Sequence, residues 1–220
     1  MGWVTRAVRS SLGKKYFMAL SGLFLLFYLA VHLFGNTFLY AGRDVFNLYV
    51  STLTETLEPV VRIIELVLLA GFLIHIYDGV TLTIQNWRSR PNRYAVKPED
   101  PQSTLASRNM WLTAAFVGFF LVAHLKQFWY VYHYGQMEGT TMYDIVVTTF
   151  QDPVYSGLYT ASALFLGFHL YHGFQSAFQS LGFNHEKYTP FIVILGRIYA
   201  IIIAVGFASF PIYFYLMGGK

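Results

Sequence analysis

The stretch YFMALSGLFLLFYLAVHLFGN, residues 16–36, decides the class of this protein. It is almost wholly apolar and contains no Asp, Glu, Lys or Arg. A helix needs about 20 such residues to cross the hydrocarbon core of a bilayer. The whole chain of 220 residues is 55% hydrophobic and only 12% charged, whereas soluble domains carry roughly 25% charged residues. The composition therefore predicts an integral membrane protein.

Four further segments share this length and apolar character. The predicted fold is all-α, a single domain over residues 1–220 with five transmembrane helices at about 16–36, 60–84, 109–132, 154–178 and 190–216. Basic residues collect before the first span and in the loops after the second and fourth spans. Because basic loops stay in the cytoplasm, we expect the N-terminus inside and the C-terminus outside.

Two connecting segments carry their own predictions. Residues 86–108 form a polar, proline-containing inner loop suited to docking a soluble partner. Residues 44–57 place apolar side chains at positions 45, 48, 49 and 53 after an Asp cap, which predicts a short amphipathic helix on the outer surface. The chain has no cysteine, so cysteine-ligated clusters and disulfides within it are excluded. The charge of +4 is explained by the loops and does not indicate nucleic acid.

Four histidines lie deep inside four different spans, where polar side chains are costly and usually functional. His32 and His124 follow the start of spans that enter from the inside, at Lys15 and Arg108, by 17 and 16 residues. His75 and His169 each follow a proline that begins a span from the outside by 16 residues. At about 1.5 Å per residue, the first two reach the outer half and the others the inner half.

Two histidine pairs at two depths fit two b-type haems with both axial positions filled by imidazole. Such centres transfer electrons and leave no open site for oxygen. The motif H-[IL]-Y-x-G begins at His75 and again at His169. Its glycines, Gly79 and Gly173, would leave room for a flat macrocycle. Gly35 follows His32 by three residues and could act in the same way. The alternative for each histidine alone is a hydrogen-bonded helix contact.

With these residues the chain resembles the di-haem cytochrome b anchor of the succinate dehydrogenase/fumarate reductase (succinate:quinone oxidoreductase) family, in the branch with one five-helix polypeptide. The motifs are S-x-G-K-K-x-x-M-A-x-S-G at residues 11–22 and F-H-x-x-x-G at residues 168–173. The resemblance implies a flavoprotein subunit with FAD and an iron–sulfur subunit on the cytoplasmic side. It also implies quinone, in particular menaquinone, as electron acceptor and the bacterial cytoplasmic membrane, with its lipid, as location.

Ionisable residues near the predicted haems suggest further roles. Glu65, the carboxylate in the outer half of a span, is a candidate for quinone proton handling, with an ion pair to Arg62 as the alternative. His172 and Asp78 each lie three residues past an inner histidine and could handle protons or contact propionates. His133 and His185 are expected to be solvated. Side chains that could neutralise propionates are Arg43, Arg62 and Lys126 outside and Asn86, Arg88 and Arg197 inside.

Gly167 marks a departure from some fumarate reductases, which have a glutamate on a proton path just before the fourth-span histidine. This sequence therefore puts a proton route of that type in doubt. Two other functions remain open. One is a di-haem anchor of a hydrogenase or formate dehydrogenase, and the other is a proton-coupled transporter whose histidines relay protons. Transporters usually have broken helices around a single midplane site, whereas these histidines occupy two levels.

Overall fold

The structure, a computed structural model, describes Gly2 and residues 10–89, 109–135 and 139–217. Most of the residues in these ranges are helical, and the ranges contain no strand. The helices, with short 3₁₀ and π turns between some of them, are α1 (Ser11–Thr37), a 3₁₀ turn (Phe38–Ala41), α2 (Arg43–Ser51), a π turn (Thr52–Thr56), α3 (Glu58–Arg88), α4 (Met110–His124), a π turn (Leu125–Tyr130), α5 (Val131–Tyr134), α6 (Met142–Gln151), α7 (Pro153–Ser180) and α8 (Thr189–Met217). Most of the predicted inner loop 86–108 lies outside the described residues.

Local chemistry explains where the long helices begin. The Ser10 hydroxyl caps α1 by accepting a hydrogen bond from the Gly13 amide at 3.0 Å. The Asp152 carboxylate caps α7 by accepting from the amides of Val154 and Tyr155 at 2.8 and 3.1 Å. Prolines follow the first residue or the cap of α3 and α7, where no bonded N–H is lost. Asp152 is thus the N-cap of α7.

Among the described residues, four segments are long and apolar enough to cross a membrane: Leu12–Ala41, Glu58–Arg88, Met110–Tyr134 and Thr189–Met217. The predicted span at 154–178 forms the 28-residue helix α7, which lies in the middle of the bundle. α1, α4, α6 and α8 all pack against it. Because other helices cover much of its surface, α7 can carry small and polar residues such as Ser156 and Ser162, both buried.

The helices form a bundle in which neighbours and diagonals can be told apart. α3 packs beside α1, α1 beside α7 and α4 beside α7, while α8 lies along α7. In the described ranges the backbones of α1 and α4 do not pack closely, and neither do those of α3 and α7. α3 and α4 do not pack closely either, but their side chains meet at both ends, between Trp87 and Trp111 and between Glu65 and Trp129. α3 and α4 are therefore neighbours, and α1 with α4 and α3 with α7 are the two diagonals of the four-helix group.

The outer surface differs in part from the prediction. α2 begins at Arg43 with Gly42 as its N-cap, so the Asp cap is wrong. Phe46, which is 5% exposed, faces inward, whereas Val45 and Leu48 from the predicted apolar face are exposed. The cause is a second short helix, α6, that the sequence analysis did not predict. It covers α2, and the two pack over a buried cluster of Leu39, Phe46, Phe128, Ile145, Val146, Phe150, Tyr159, Phe210 and Phe214.

Candidate functional site

The four predicted histidines meet in two pairs across the bundle diagonals. The ring centroids of His32 on α1 and His124 on α4 are 5.9 Å apart, with the planes at 83°. Those of His75 on α3 and His169 on α7 are 6.3 Å apart, with the planes at 77°. The structure thus brings together the same two pairs that the predicted depths formed. We call them the outer pair (His32 and His124) and the inner pair (His75 and His169), and we name the helix ends in the same way, after the predicted orientation. That they bind iron stays a prediction.

The separation within each pair can be tested against a shared metal centre. A metal between two imidazoles lies about 2 Å from each nitrogen, and each nitrogen lies roughly 1 Å from its ring centre, so the centroids would be about 6 Å apart. Both observed distances fit. Within the described residues no group of three or more His, Asp or Glu side chains could hold a metal ion. Each pair offers two imidazole nitrogens, a set that would suit an iron whose other ligands come from a macrocycle.

Side chains rather than close backbone packing join α3 to α4 in the described ranges. α3 stands away from α4, and side chains join the two helices at their ends. At the inner end the rings of Trp87 and Trp111 are 5.9 Å apart. At the outer end the Trp129 indole donates to Glu65 at 3.0 Å. α3 packs closely along α1 instead, and this contact holds it in the bundle.

The Nδ1 atoms of the four histidines are not equivalent. His75 Nδ1 lies 3.3 Å from the Ser21 hydroxyl. His32 Nδ1 lies 3.4 Å from the amide nitrogen of Asn36, which donates to the His32 carbonyl at 2.7 Å. The Nδ1 atoms of His124 and His169 are buried and have no hydrogen-bond partner among the described residues. Buried polar atoms are normally paired, so these two atoms are consistent with a ligand that the chain does not itself provide.

Aromatic rings enclose the outer pair. Tyr28 stacks on His32 at 5.4 Å, and Phe120 and Phe128 pack on His124 at 5.7 and 5.4 Å. Tyr159 lies 6.0 Å from His124, and its buried hydroxyl also has no partner within the described ranges. The sequence analysis missed Tyr159. The only signal was that it precedes His169 by ten residues, about three helical turns toward the outer end.

The predicted glycines have ordinary packing roles in the structure. A Cβ on Gly79 would lie 3.3 Å from the methyl of Met18, and one on Gly173 would lie 3.8 Å from the methyl of Met110. A Cβ on Gly35 would collide with the hydroxyl of Tyr49. The prediction that Gly35 makes room for a macrocycle is therefore wrong, because the Tyr49 side chain fills that place.

Glu65 joins a polar cluster at the outer end of α3. Its carboxylate accepts from Arg62 at 3.1 Å and from Trp129 at 3.0 Å, and it lies 3.9 Å from Nε2 of His133. The ion pair weighed as the alternative role for Glu65 is present. The expectation that His133 is solvated is wrong, since its side chain is only 17% exposed and its Nδ1 lies 2.9 Å from the Trp129 carbonyl.

The other polar and charged residues that were predicted to lie near the haems differ in their contacts and exposure. Arg43 forms an ion pair with Asp144 on α6. The hydrogen bond from Arg43, supported by bonds from Thr141, lowers the pKa of Asp144 to about 2. Arg197 lies over the ring of Tyr171, with 5.6 Å from its guanidinium carbon to the ring centroid. The remaining candidates divide by exposure: Asn86, Arg88, Lys126 and His185 are exposed, His172 is half-buried and Asp78 is buried.

A π turn follows His124 directly, over Leu125–Tyr130. π turns inside helices are frequent at functional sites because they rotate the side chains that follow. Here the turn contains Trp129 and separates His124 from His133. Sequence analysis could not predict it, since the segment has ordinary helical composition.

The structure has two surface grooves, of which the second is lined by Ser21 and Ile74 and so lies next to His75. One of about 440 Å³ lies between α7 and α8 and is lined by residues including Gly157, Ala161 and Tyr215. The other, of about 310 Å³, lies between α1 and α3 beside Phe24 and Gly71. Both are mainly apolar and open, and neither is lined by a predicted ligand.

Comparison of the chain with known protein families, with characterised proteins and with solved structures finds no match.

Proposed function

We propose that this chain is a di-haem cytochrome b and the membrane-anchor subunit of a succinate:quinone oxidoreductase. The observation that carries the proposal is the meeting of four intramembrane histidines in two diagonal pairs, with ring separations of 5.9 and 6.3 Å. A single histidine in a span has many explanations, but two such pairs at two depths fit two bis-imidazole centres.

The four imidazoles would hold and orient two b haems. When bound, these groups supply one-electron couples at two depths, so that electrons can cross the membrane. His75 and His169 would serve the centre on the N-terminal, cytoplasmic side, and His32 and His124 the outer one. The surrounding Phe and Tyr rings exclude water from the outer pair.

Glu65 is the candidate for quinone proton handling. Arg62 and Trp129 fix its carboxylate at the outer end of α3, while 28% of the side chain stays exposed. His133 lies close enough to share a proton through a small movement or one water. A carboxylate fixed in position and partly accessible is suited to exchanging a proton with a quinone oxygen.

The same proposal extends to partners and location. It places five spans in a bacterial cytoplasmic membrane, an FAD flavoprotein and an iron–sulfur subunit on the cytoplasmic face, and menaquinone as the acceptor. Support for these points is the motif resemblance at residues 11–22 and 168–173 and the four helices that are long and apolar enough to cross a membrane.

A reduced-minus-oxidised absorption spectrum of the purified protein tests the proposal. We expect b-type bands, and a spectrum without them would refute it and favour the proton-coupled transporter. Isolation of the chain from its native membrane then distinguishes the anchor types. Co-purification of a flavoprotein with succinate dehydrogenase activity supports the proposed family. Co-purification of a hydrogenase or formate dehydrogenase would instead show that the chain is the anchor of that enzyme.

A further inference from the structure

Ser21 on α1 contacts the inner pair in a defined way. Its side chain is 9% exposed, and its hydroxyl lies 3.3 Å from Nδ1 of His75 on α3. The same hydroxyl lies 2.7 Å from the carbonyl of Phe17 and 3.2 Å from that of Met18. The Ser21 hydroxyl has one proton, and its shortest contact is with the Phe17 carbonyl, which can only accept, so the proton is directed to that oxygen.

This arrangement determines which nitrogen of His75 carries the proton. With its proton directed to a carbonyl, the Ser21 oxygen has only lone pairs to offer to His75. Nδ1 of His75 must then carry a proton and donate it to Ser21. In a neutral imidazole the other nitrogen, Nε2, is left unprotonated and free to bind a metal.

Gly22, the next residue, allows the His75 ring to approach α1. A Cβ added there would lie 3.3 Å from Cε1 and 3.7 Å from Nδ1 of the ring. The first distance is tighter than most real contacts, so any side chain at this position would push the ring away. Ser21 and Gly22 together form the surface of α1 against which the His75 ring packs.

The histidines of the outer pair lack an equivalent hydrogen-bond acceptor at Nδ1 among the described residues. Beside His32 Nδ1 stands the amide nitrogen of Asn36, which is a donor and cannot accept a proton from the ring. The other histidines, His124 and His169, have no Nδ1 partner in the part of the chain that the structure describes. His75 is thus distinguished among the four by a hydroxyl acceptor on another helix.

We infer that Ser21 is a positioning residue that fixes the tautomer of His75 and lowers the midpoint potential of the inner haem. This inference rests on the proposed function. A hydrogen bond from Nδ1–H makes the imidazole a more basic ligand. A more basic ligand stabilises the ferric form over the ferrous form, which lowers the potential. Haem and both its ligands would remain in place without Ser21, but the potential would change.

Redox titration of Ser21→Ala and Ser21→Thr, each in the full chain with both haems bound, tests the inference. The inner haem is identified as the one lost in His169→Ala. We expect Ser21→Ala to raise the potential of the inner haem alone, because only the Met18 carbonyl, which also faces His75, remains as an acceptor. Ser21→Thr keeps the hydroxyl and should keep the wild-type potential. An unchanged inner potential in Ser21→Ala, or an equal shift of both haems, overturns the inference.

Gly22→Ala provides a second, steric test with a matched control. The added methyl should displace the His75 ring and lower the occupancy of the inner haem. Gly118→Ala makes the same change on α4, where an added Cβ meets nothing within 4 Å, and should keep both haems. Full occupancy of the inner haem in Gly22→Ala would contradict this steric role of Gly22. Fewer than two haems in the wild-type chain would instead contradict the proposed function, so the two failures can be told apart.

Discussion

Replacing Gly167 with alanine should destabilise the contact between α7 and α8. The added Cβ would lie 2.7 Å from the Cβ of Ala204 and 3.5 Å from the carbonyl of Ala200. Carbon atoms in contact are normally about 3.5–4 Å apart, so the two helices would have to separate by roughly 1 Å. Overpacking of this kind costs about 1–3 kcal/mol. The same close approach leaves no room for a glutamate at this position.

Thermal unfolding of the purified protein, followed by circular dichroism in detergent, measures the effect. A loss of about 1–3 kcal/mol in a chain of this size corresponds to a fall in Tm of roughly 2–12 °C. Gly118→Ala, with open space around its Cβ, is the control and should not lower Tm. The double variant Gly167→Ala with Ala204→Gly removes the opposing methyl and should recover most of the loss. An unchanged Tm in Gly167→Ala, or no recovery in the double variant, would refute the reasoning.

Three further substitutions each have a distinct expected result. Tyr159→Phe removes a buried hydroxyl without a partner among the described residues. The haem-free chain should then keep its Tm or gain up to about 1–3 kcal/mol in unfolding free energy, and a lower Tm would show that the hydroxyl is bonded. Glu65→Gln should slow quinone reduction while both haems remain in the spectrum, and an unchanged rate would exclude Glu65 from proton handling. Arg43 helps to lower the pKa of Asp144 to about 2, so this carboxylate stabilises the fold above its unfolded pKa of about 3.9. That contribution is lost as the pH falls through about 2. The stability difference between wild type and Asp144→Asn, followed by acid unfolding, should therefore be present near pH 5 and vanish below about pH 2, and a difference that persists there would contradict the ion pair.

The long helices were predictable because a lipid-facing helix must be apolar along its whole length. The predicted ends of the spans lie inside the observed helices, except that the third predicted span starts one residue too early. The position of α7 at the centre was not predictable in this way, since its contacts come from distant parts of the chain. The same holds for α6, which is only ten residues long and is stabilised by packing against α2 and α8.

The proximity of the histidine pairs could be predicted because helix rise converts residue counts into depth. Their hydrogen-bond partners could not. Ser21 lies 54 positions from His75 in the chain, and Trp129 lies 64 positions from Glu65. Which side chains meet across two helices depends on helix rotation, and in α4 the π turn after His124 changes that rotation.

Counting haems per chain in paired histidine variants tests the central claim most directly. A haemochromogen assay should give two haems for the wild type. The double variant His75→Ala with His169→Ala removes both ligands of one pair and should keep one haem. The double variant His32→Ala with His75→Ala removes one ligand from each pair and should keep none. Equal haem counts in the two double variants, with both proteins folded, would contradict the pairing.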